Sequence, residues 1–462
     1  MPKNKLIFYL LISTVIITIF SECSPIYKLN PWSDLNIYLT IGRDLLNGGK
    51  LYTSLFDHKG PILYFIYTIS SLISSSSYVG VYLLEIICLL IFMYYSDKVL
   101  SLFSNKNHIL FITIISILIT TTTAFSYGGG SVEELFLPIF QVTNYICLNK
   151  ITKNESFTYK ECILIGIFAC LSFLTKFILC GYFLGVAICL VIYQFRMNKS
   201  KVLPYILYTL ISFIVVFGIT SIYFVINHNF NDFIDTYFKF NLFSYAVPST
   251  LVTRILTMAK AILYYCKHNI IIVPLSLLSI IYSVIHFKKS TTTFYILSTF
   301  ICWYFITFIG GKVIAYYILP ISIYMIFGVL FLEKYKCTNI VMGLVCLFSI
   351  FTSHNIKDIT RTSYVQYEFK EIIGESTSLV FEGYDQAFYI TNNSTPGCKY
   401  FTTTNGWLPN YKEDTIECIN SNEIEYLISI DNELDISNYE LVKEITQEYE
   451  SKERTYRLYK RK

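Results

Sequence analysis

Residues 31–61, PWSDLNIYLTIGRDLLNGGKLYTSLFDHKGP, and the run that follows at 62–77, ILYFIYTISSLISSSS, decide the fold. The first stretch is a charged break in a chain otherwise dominated by apolar runs, and it carries Asp34, Arg43, Asp44, Asp57, His58 and Lys59. Ionisable groups beside a membrane are costly unless they are solvated, paired or used. Residues 34–47 read as a helix. Ser33 is placed to cap it, Asp34 lies in the first turn where the dipole favours an anion, and Asn47-Gly48-Gly49 ends it. Asn36, Thr40, Arg43 and Asn47 share one face while Leu35, Ile37, Ile41 and Leu45 lie on others, the pattern of a helix lying along an interface. Phe56-Asp57-His58-Lys59-Gly60 then makes a compact charged turn, and Pro61 opens the next apolar helix.

Whether 62–77 crosses the membrane sets every orientation after it. Apolar length predicts spans near 6–21, 78–95, 109–125, 135–148, 162–175, 177–195, 202–226, 270–286, 292–309, 313–331 and 340–353. The basic loops carry Lys98 and Lys106, Lys150 and Lys153, Arg196, Lys199 and Lys201, Lys288 and Lys289, and Lys334 and Lys336. If 62–77 crosses, every one of these loops faces outward. If it is re-entrant or interfacial, every one faces the cytoplasm, as the positive-inside rule requires. The second arrangement predicts a mainly α polytopic bundle over 1–353, with about eleven spans plus interfacial helices. It puts the first loop, 126–134, 227–254, 310–312 and everything after about 354 on the outer face. Residues 354–462 are more charged and read as a small extracytoplasmic α/β domain. A helix is expected over 361–374 and strands at 378–381, 424–430, 439–443 and 454–459.

Composition agrees. Of 462 residues, 54% are hydrophobic and 15% charged, against about 25% charged in soluble domains, and mean hydropathy is +0.52. A net charge of +4 is too small to point to nucleic acid. Most of the 13 cysteines, among them Cys88, Cys147, Cys170, Cys180, Cys189, Cys302 and Cys346, lie in apolar runs, where a thiol acts as a small hydrophobe. No Cys/His spacing suggests zinc. Residues 1–20 have the charge and apolar core of a signal peptide but no small-residue cleavage site, so an uncleaved first span is expected. The sequence holds no Walker loop, dinucleotide fingerprint or internal repeat.

Asp34 is the leading candidate for chemistry. It follows the first span closely, so its carboxylate sits near the outer surface, at the height of the reactive carbon of a lipid-phosphate-linked donor. A carboxylate there takes a proton from an acceptor hydroxyl if reach and pKa suit. The plainer reading is a helix-start aspartate serving the dipole. Ser126 to Glu134, SYGGGSVEE, puts three glycines and two acids in the second outer loop; Glu133 and Glu134 also suit a helix start. Asp57-His58-Lys59 offers an acid, an imidazole and a cation. Lys59 meets a phosphate as a point charge or snorkels. Arg43 holds a phosphate bidentately or pairs with Asp44 or Asp57. Lys176 is expected at an outer helix end, where snorkelling competes with function, and Glu85 as a structural hydrogen-bonding group. Gly310-Gly311-Lys312 with Tyr316, Tyr317 and Pro320 either closes over a ligand or anchors at the interface.

Several of these signals resemble the GT-C superfamily of membrane glycosyltransferases, specifically the family 39 group of protein mannosyltransferases and lipid A aminoarabinose transferases. The resemblance rests on Asp34 with Arg43, on Lys59-Gly60-Pro61 before a helix bearing Tyr64 and Tyr67, on Glu133-Glu134, and on Gly311 followed by Tyr316-Tyr317-Ile318-Leu319-Pro320. It covers about the first 350 residues. It implies inverting transfer of a sugar from a polyprenyl-phosphate donor to a surface glycan, polymer or lipid, on the outer face of a bacterial cytoplasmic membrane. By that likeness Asp34 is the base. Lys59, with Arg43 and His58 beside it, meets the carrier phosphate. Glu133, Glu134 and Asp57 support the acceptor or a divalent cation, and Lys312, Tyr316 and Tyr317 form the late loop. Relatives often carry Asp-Glu where this chain has Asp34-Leu35, which leaves metal use open. They often have histidine before the late tyrosine, where this chain has Tyr316. Two alternatives stand beside this reading: a polymerase or ligase for lipid-linked oligosaccharides, and a transporter or flippase. Transporters commonly show repeats and broken helices at mid-membrane. In this sequence the polar residues gather on one side and no repeat is visible.

Overall fold

The computed structural model describes residues 3–125, 128–245, 250–287, 290–335, 337–353, 355–361, 363–374, 376–403, 408, 410–421, 424–449 and 452–462. Features expected at Ser126, Tyr127, Lys288, Lys289 and Lys336 lie outside the described residues. The chain is mainly helical, with one small sheet near its C-terminus.

Among the described residues, four helices are long and apolar enough to cross a membrane: Val79–Leu100, Phe177–Met197, Lys199–Ile226 and Thr291–Phe308. Two bent pairs make six if each counts as one span. Leu251–His268 meets Ile272–Phe287 at 117°, and Ala315–Tyr324 meets Ile326–Leu332 at 48°. The second pair contains Pro320 within a 3₁₀ segment, where the ring removes a backbone donor and blocks a regular α-turn. Asn4–Phe20, Pro61–Ile73, Ile109–Thr120 and Thr338–Thr352 are apolar but shorter. Pro61–Ile73, at 13 residues, is about 20 Å long against a hydrocarbon core of about 30 Å. By length and composition the span class among the described residues therefore holds four to six helices. The expected loop at 227–254 is largely helical instead: Phe230–Phe233, a π-helical Ile234–Ser244 and the start of Leu251–His268. Residues 230–244, FNDFIDTYFKFNLFS, contain neither glycine nor proline to break a helix.

Contacts divide the chain into two compact units. Unit 1 is Met1–Ile26, Tyr82–Thr220 and Val247–Asp358; unit 2 is Tyr27–Val81, Ser221–Ala246 and Ile359–Lys462. The grouping is interleaved along the chain, where the sequence suggests one boundary near 353.

In unit 1, Cys180–Met197 packs along Thr291–Phe308. Gly185 makes the approach possible, since a Cβ there would stand 2.4 Å from the Ser298 carbonyl oxygen. Polar groups fasten the same helices. Tyr182 and Tyr295 both donate to Asn144 Oδ1, at 2.7 and 2.9 Å.

In unit 2, the helix Ser33–Leu46 packs on Pro61–Ile73 and on the short helix Phe388–Asn392. Ser33 begins this helix rather than capping it; Trp32 is the N-cap and supplies no side-chain bond. On the polar face Asn36, Thr40 and Arg43 are buried, and Asn47 beyond the helix end is exposed. Asn36 donates to the Asn30 and Trp32 carbonyls and accepts from Tyr78, so the polar stripe is an internal seam. The tail forms β1 (Ser378–Glu382), β2 (Tyr426–Ile430), β3 (Tyr439–Tyr449) and β4 (Lys452–Arg461), in the order β1-β2-β4-β3. β1 runs parallel to β2 and the other pairs are antiparallel. YLISI of β2 is buried throughout, as an inner strand covered on both faces must be. Cys398 and Cys418 form a disulfide across 20 residues, a pairing that their spacing does not announce.

Candidate functional site

The turn at 57–59 sits in unit 2, and all three of its ionisable side chains are buried. The turn is an internal charge cluster, and Lys59 does not snorkel. Tyr64 donates to Asp57 Oδ2 at 2.6 Å, and its oxygen accepts the Lys59 backbone N–H at 3.1 Å. Tyr52 donates to the Lys59 carbonyl at 2.7 Å, and Asn241 Nδ2 to the His58 carbonyl at 2.7 Å. The backbone of the turn is therefore held at His58 and at Lys59.

The side chains form a chain of their own. His58 Nδ1 lies 3.2 Å from Asp57 Oδ1, and Lys59 Nζ lies 3.4 Å from His58 Nε2. The imidazole packs on the Tyr245 ring at 4.1 Å. Lys59 Nζ stands 6.0 Å from the centre of the Tyr38 ring, and Tyr38 donates to Asp34 Oδ2 at 3.3 Å. Asp34 itself is half-buried in the first turn of its helix. Burial, then the Lys59 charge, push the His58 pKa down to about 4 against the pull of Asp57 and Asp34. Burial raises Asp57, but Lys59, His58 and Tyr64 outweigh it and hold the carboxyl well below the usual range. At neutral pH the cluster is a carboxylate, a neutral imidazole and an ammonium.

Arg43 does not join it. Its Nη1 donates to the Tyr389 and Ser75 carbonyls at 3.1 and 3.3 Å, and its Nη2 donates to the Ser394 carbonyl. The guanidinium fastens residues far along the chain, and among the described residues it makes no ion pair with Asp44 or Asp57. Nearby Asp385 is fully buried and accepts the Phe388 N–H at 3.0 Å. Burial lifts its carboxyl to about 7, partly offset by the Phe388 N–H and Arg43. Folding therefore favours the protonated acid. The stability it contributes is present below the unfolded value of 3.8 and is lost as pH rises toward about 7. Asp385→Asn keeps the capping oxygen and removes the charge. Relative to wild type it is expected to gain stability progressively from about pH 4 to pH 7, by at most about 4 kcal/mol. Paired thermal melts check this; parallel pH profiles for the two proteins would refute it.

The other predicted residues belong to unit 1. Glu133 Oε1 pairs with Lys176 Nζ at 2.5 Å, and the ammonium lies 4.1 Å from the Tyr317 ring centre and 4.9 Å from that of Tyr316. Lys176 is buried, so it does not snorkel. Tyr265 donates to the Ile314 carbonyl at 2.8 Å and holds the late segment. Lys312 is half-buried. Glu134 turns elsewhere: its Oε2 and Glu85 Oε1 accept the same Gly130 N–H, at 2.9 and 2.7 Å, while Ser21 donates to Glu85 Oε2 at 2.6 Å. Gly129, with φ +93°, passes so close that a Cβ would stand 2.2 Å from Glu85 Oε1. The second acidic pair is thus split between two partners.

Sequence reading singles out Asp34, the 57–59 turn and Tyr64, but misses Tyr52, Tyr245 and Asn241. No local signal marks Asn241 as the partner of a residue 183 positions away. Among the described residues, no group of three or more His, Cys, Asp or Glu side chains is arranged to hold a metal ion. No protein-family model and no curated protein matches this chain.

Proposed function

We propose that the chain is a GT-C-like membrane glycosyltransferase that moves a sugar from a polyprenyl-phosphate donor to an acceptor on the outer face of the membrane. The observation that carries this is the run Asp34–Tyr38–Lys59 within unit 2, which sets an accessible carboxylate near a buried cation. In the proposed reaction Asp34 takes the acceptor hydroxyl proton. The acceptor oxygen bonds to the anomeric carbon from the face opposite the phosphate. The carbon–oxygen bond to phosphate breaks with its electron pair on the phosphate, where Lys59 balances the charge. Lys59→Met keeps the stem and deletes the charge. Affinity for a polyprenyl-phosphate analogue in detergent is expected to fall about ten- to a hundredfold. Unchanged affinity would sink the phosphate role.

The proposed topology has about eleven spans, with 62–77 not crossing and the basic loops inside. Two observations support the sidedness. Three of the five stretches expected outside, the first loop, much of 227–254 and the tail, share one unit, while 126–134 and 310–312 belong to the other. Cys398–Cys418 is a bond of oxidising compartments. In intact cells, a cysteine replacing exposed Lys199 is expected not to react with an impermeant maleimide. The Cys398 and Cys418 thiols are expected to react only after external reduction, judged against the Cys398→Ser/Cys418→Ser protein. External labelling at 199 would overturn the assignment of 62–77.

A transporter is the second reading, favoured by the two bent helix pairs. Consumption of donor in detergent solution separates the two, because transport breaks no bond.

A further inference from the structure

We infer that Asp57 and His58 are positioning residues for Lys59: the carboxylate fixes the imidazole in one tautomer, and the other ring nitrogen takes a hydrogen from the ammonium, aiming its charge at an anionic ligand group. The inference rests on the phosphate reading of Lys59 given above. A neutral imidazole has one donor and one acceptor nitrogen. Nδ1 faces the carboxylate oxygen Asp57 Oδ1 at 3.2 Å, so Nδ1 is the donor. That leaves the lone pair on Nε2, which faces Lys59 Nζ at 3.4 Å. The opposite tautomer would put a lone pair against a carboxylate and an N–H against an ammonium. An imidazolium would put its second N–H against the same ammonium. Only one of the three protonation patterns fits the three side chains together.

The surroundings remove the freedom that would let the arrangement drift. Tyr64 occupies the second Asp57 oxygen at 2.6 Å, so the carboxylate does not turn away from the ring. Asn241 and Tyr52 hold the carbonyls of His58 and Lys59, and Tyr245 covers the imidazole face. Asp34, Asp57 and Lys59 are the charged groups acting on the ring. A buried charged turn that served architecture alone would be replaceable by apolar residues at little cost. Here Asp57 Oδ1 and both ring nitrogens lead to one ammonium, while Tyr64 holds the remaining carboxylate oxygen.

The test is titration of farnesyl phosphate in detergent against full-length wild type, Lys59→Met, His58→Leu, His58→Gln and the His58→Leu/Lys59→Met double variant, with a thermal melt of each. His58→Leu is expected to weaken binding about five- to tenfold, whereas His58→Gln, whose amide oxygen still accepts from Lys59, stays within about twofold. The double variant is expected to bind no more weakly than Lys59→Met alone, because the histidine acts through the lysine. Wild-type affinity in His58→Leu, or additive losses in the double variant, overturns the relay and leaves the phosphate reading standing. Wild-type affinity in Lys59→Met overturns the phosphate reading and the relay with it. Nitrogen-15 shifts of His58 in wild type at pH 7 give an answer that needs no variant to fold. A protonated Nδ1 with a bare Nε2 is expected; the other tautomer or an imidazolium refutes the relay.

Discussion

Asp34→Asn is expected to lower sugar transfer by about 10²–10⁴-fold while leaving the protein folded and donor affinity intact. The amide keeps the size of the side chain and an oxygen for the Tyr38 hydroxyl, which donates to Asp34 at 3.3 Å. It removes only the basic oxygen. The half-buried position matters, since a base must be reachable by the acceptor and also close to the carrier phosphate. The measurement is turnover of purified variant with a synthetic polyprenyl-phosphate sugar, alongside titration of the phosphate analogue. Near-normal turnover would return Asp34 to the plainer role of an acid in the first turn of Ser33–Leu46, favoured there by the helix dipole. A parallel loss of affinity and turnover would place it in binding instead.

Lys176→Met is expected to destabilise the protein by about 3–5 kcal/mol, the range for stripping one partner from a buried ion pair. Glu133 is fully buried and Lys176 nearly so, and their contact is 2.5 Å. Removing the ammonium strands the carboxylate and also deletes the charge over the Tyr316 and Tyr317 rings. Glu133→Leu in the same chain should restore most of the loss, because the pair is then replaced by apolar volume. Thermal melts in detergent of wild type, single and double variants read this out. A Lys176→Met protein that melts like wild type would mean that water reaches the pair.

The helices were legible where the apolar run is long and its ends are marked. Val202–Ile226 matches the expected span end to end. The first-loop helix stops where Asn47-Gly48-Gly49 stops it, and Pro61 starts the next one. The tail strands begin within two residues of the expected positions, but β3 runs on to Tyr449, beyond the expected 439–443. Hydropathy was a weaker guide to lengths. Pro61–Ile73 and Ile109–Thr120 end early, and 251–287 bends sharply near Asn269, because local apolarity does not say where packing lets a helix turn. The acids were legible as residues but not as partners. Glu133 and Glu134 are adjacent in sequence, yet Glu133 goes to Lys176 and Glu134 joins Glu85 on the Gly130 N–H.

The sequence by itself determined the mainly helical character, the small terminal sheet and the cluster of ionisable residues at 34–59, because these follow from composition and spacing within a few turns of chain. Only the tertiary structure decided which of those ions are buried and what they touch. Arg43 finds carbonyls at 389 and 394, His58 is pinned by Asn241, and Cys398 meets Cys418. The physical reason is common to all three. The free energy of a charge or a thiol depends on the groups within a few ångströms, and folding brings those groups from distant positions that no local pattern names.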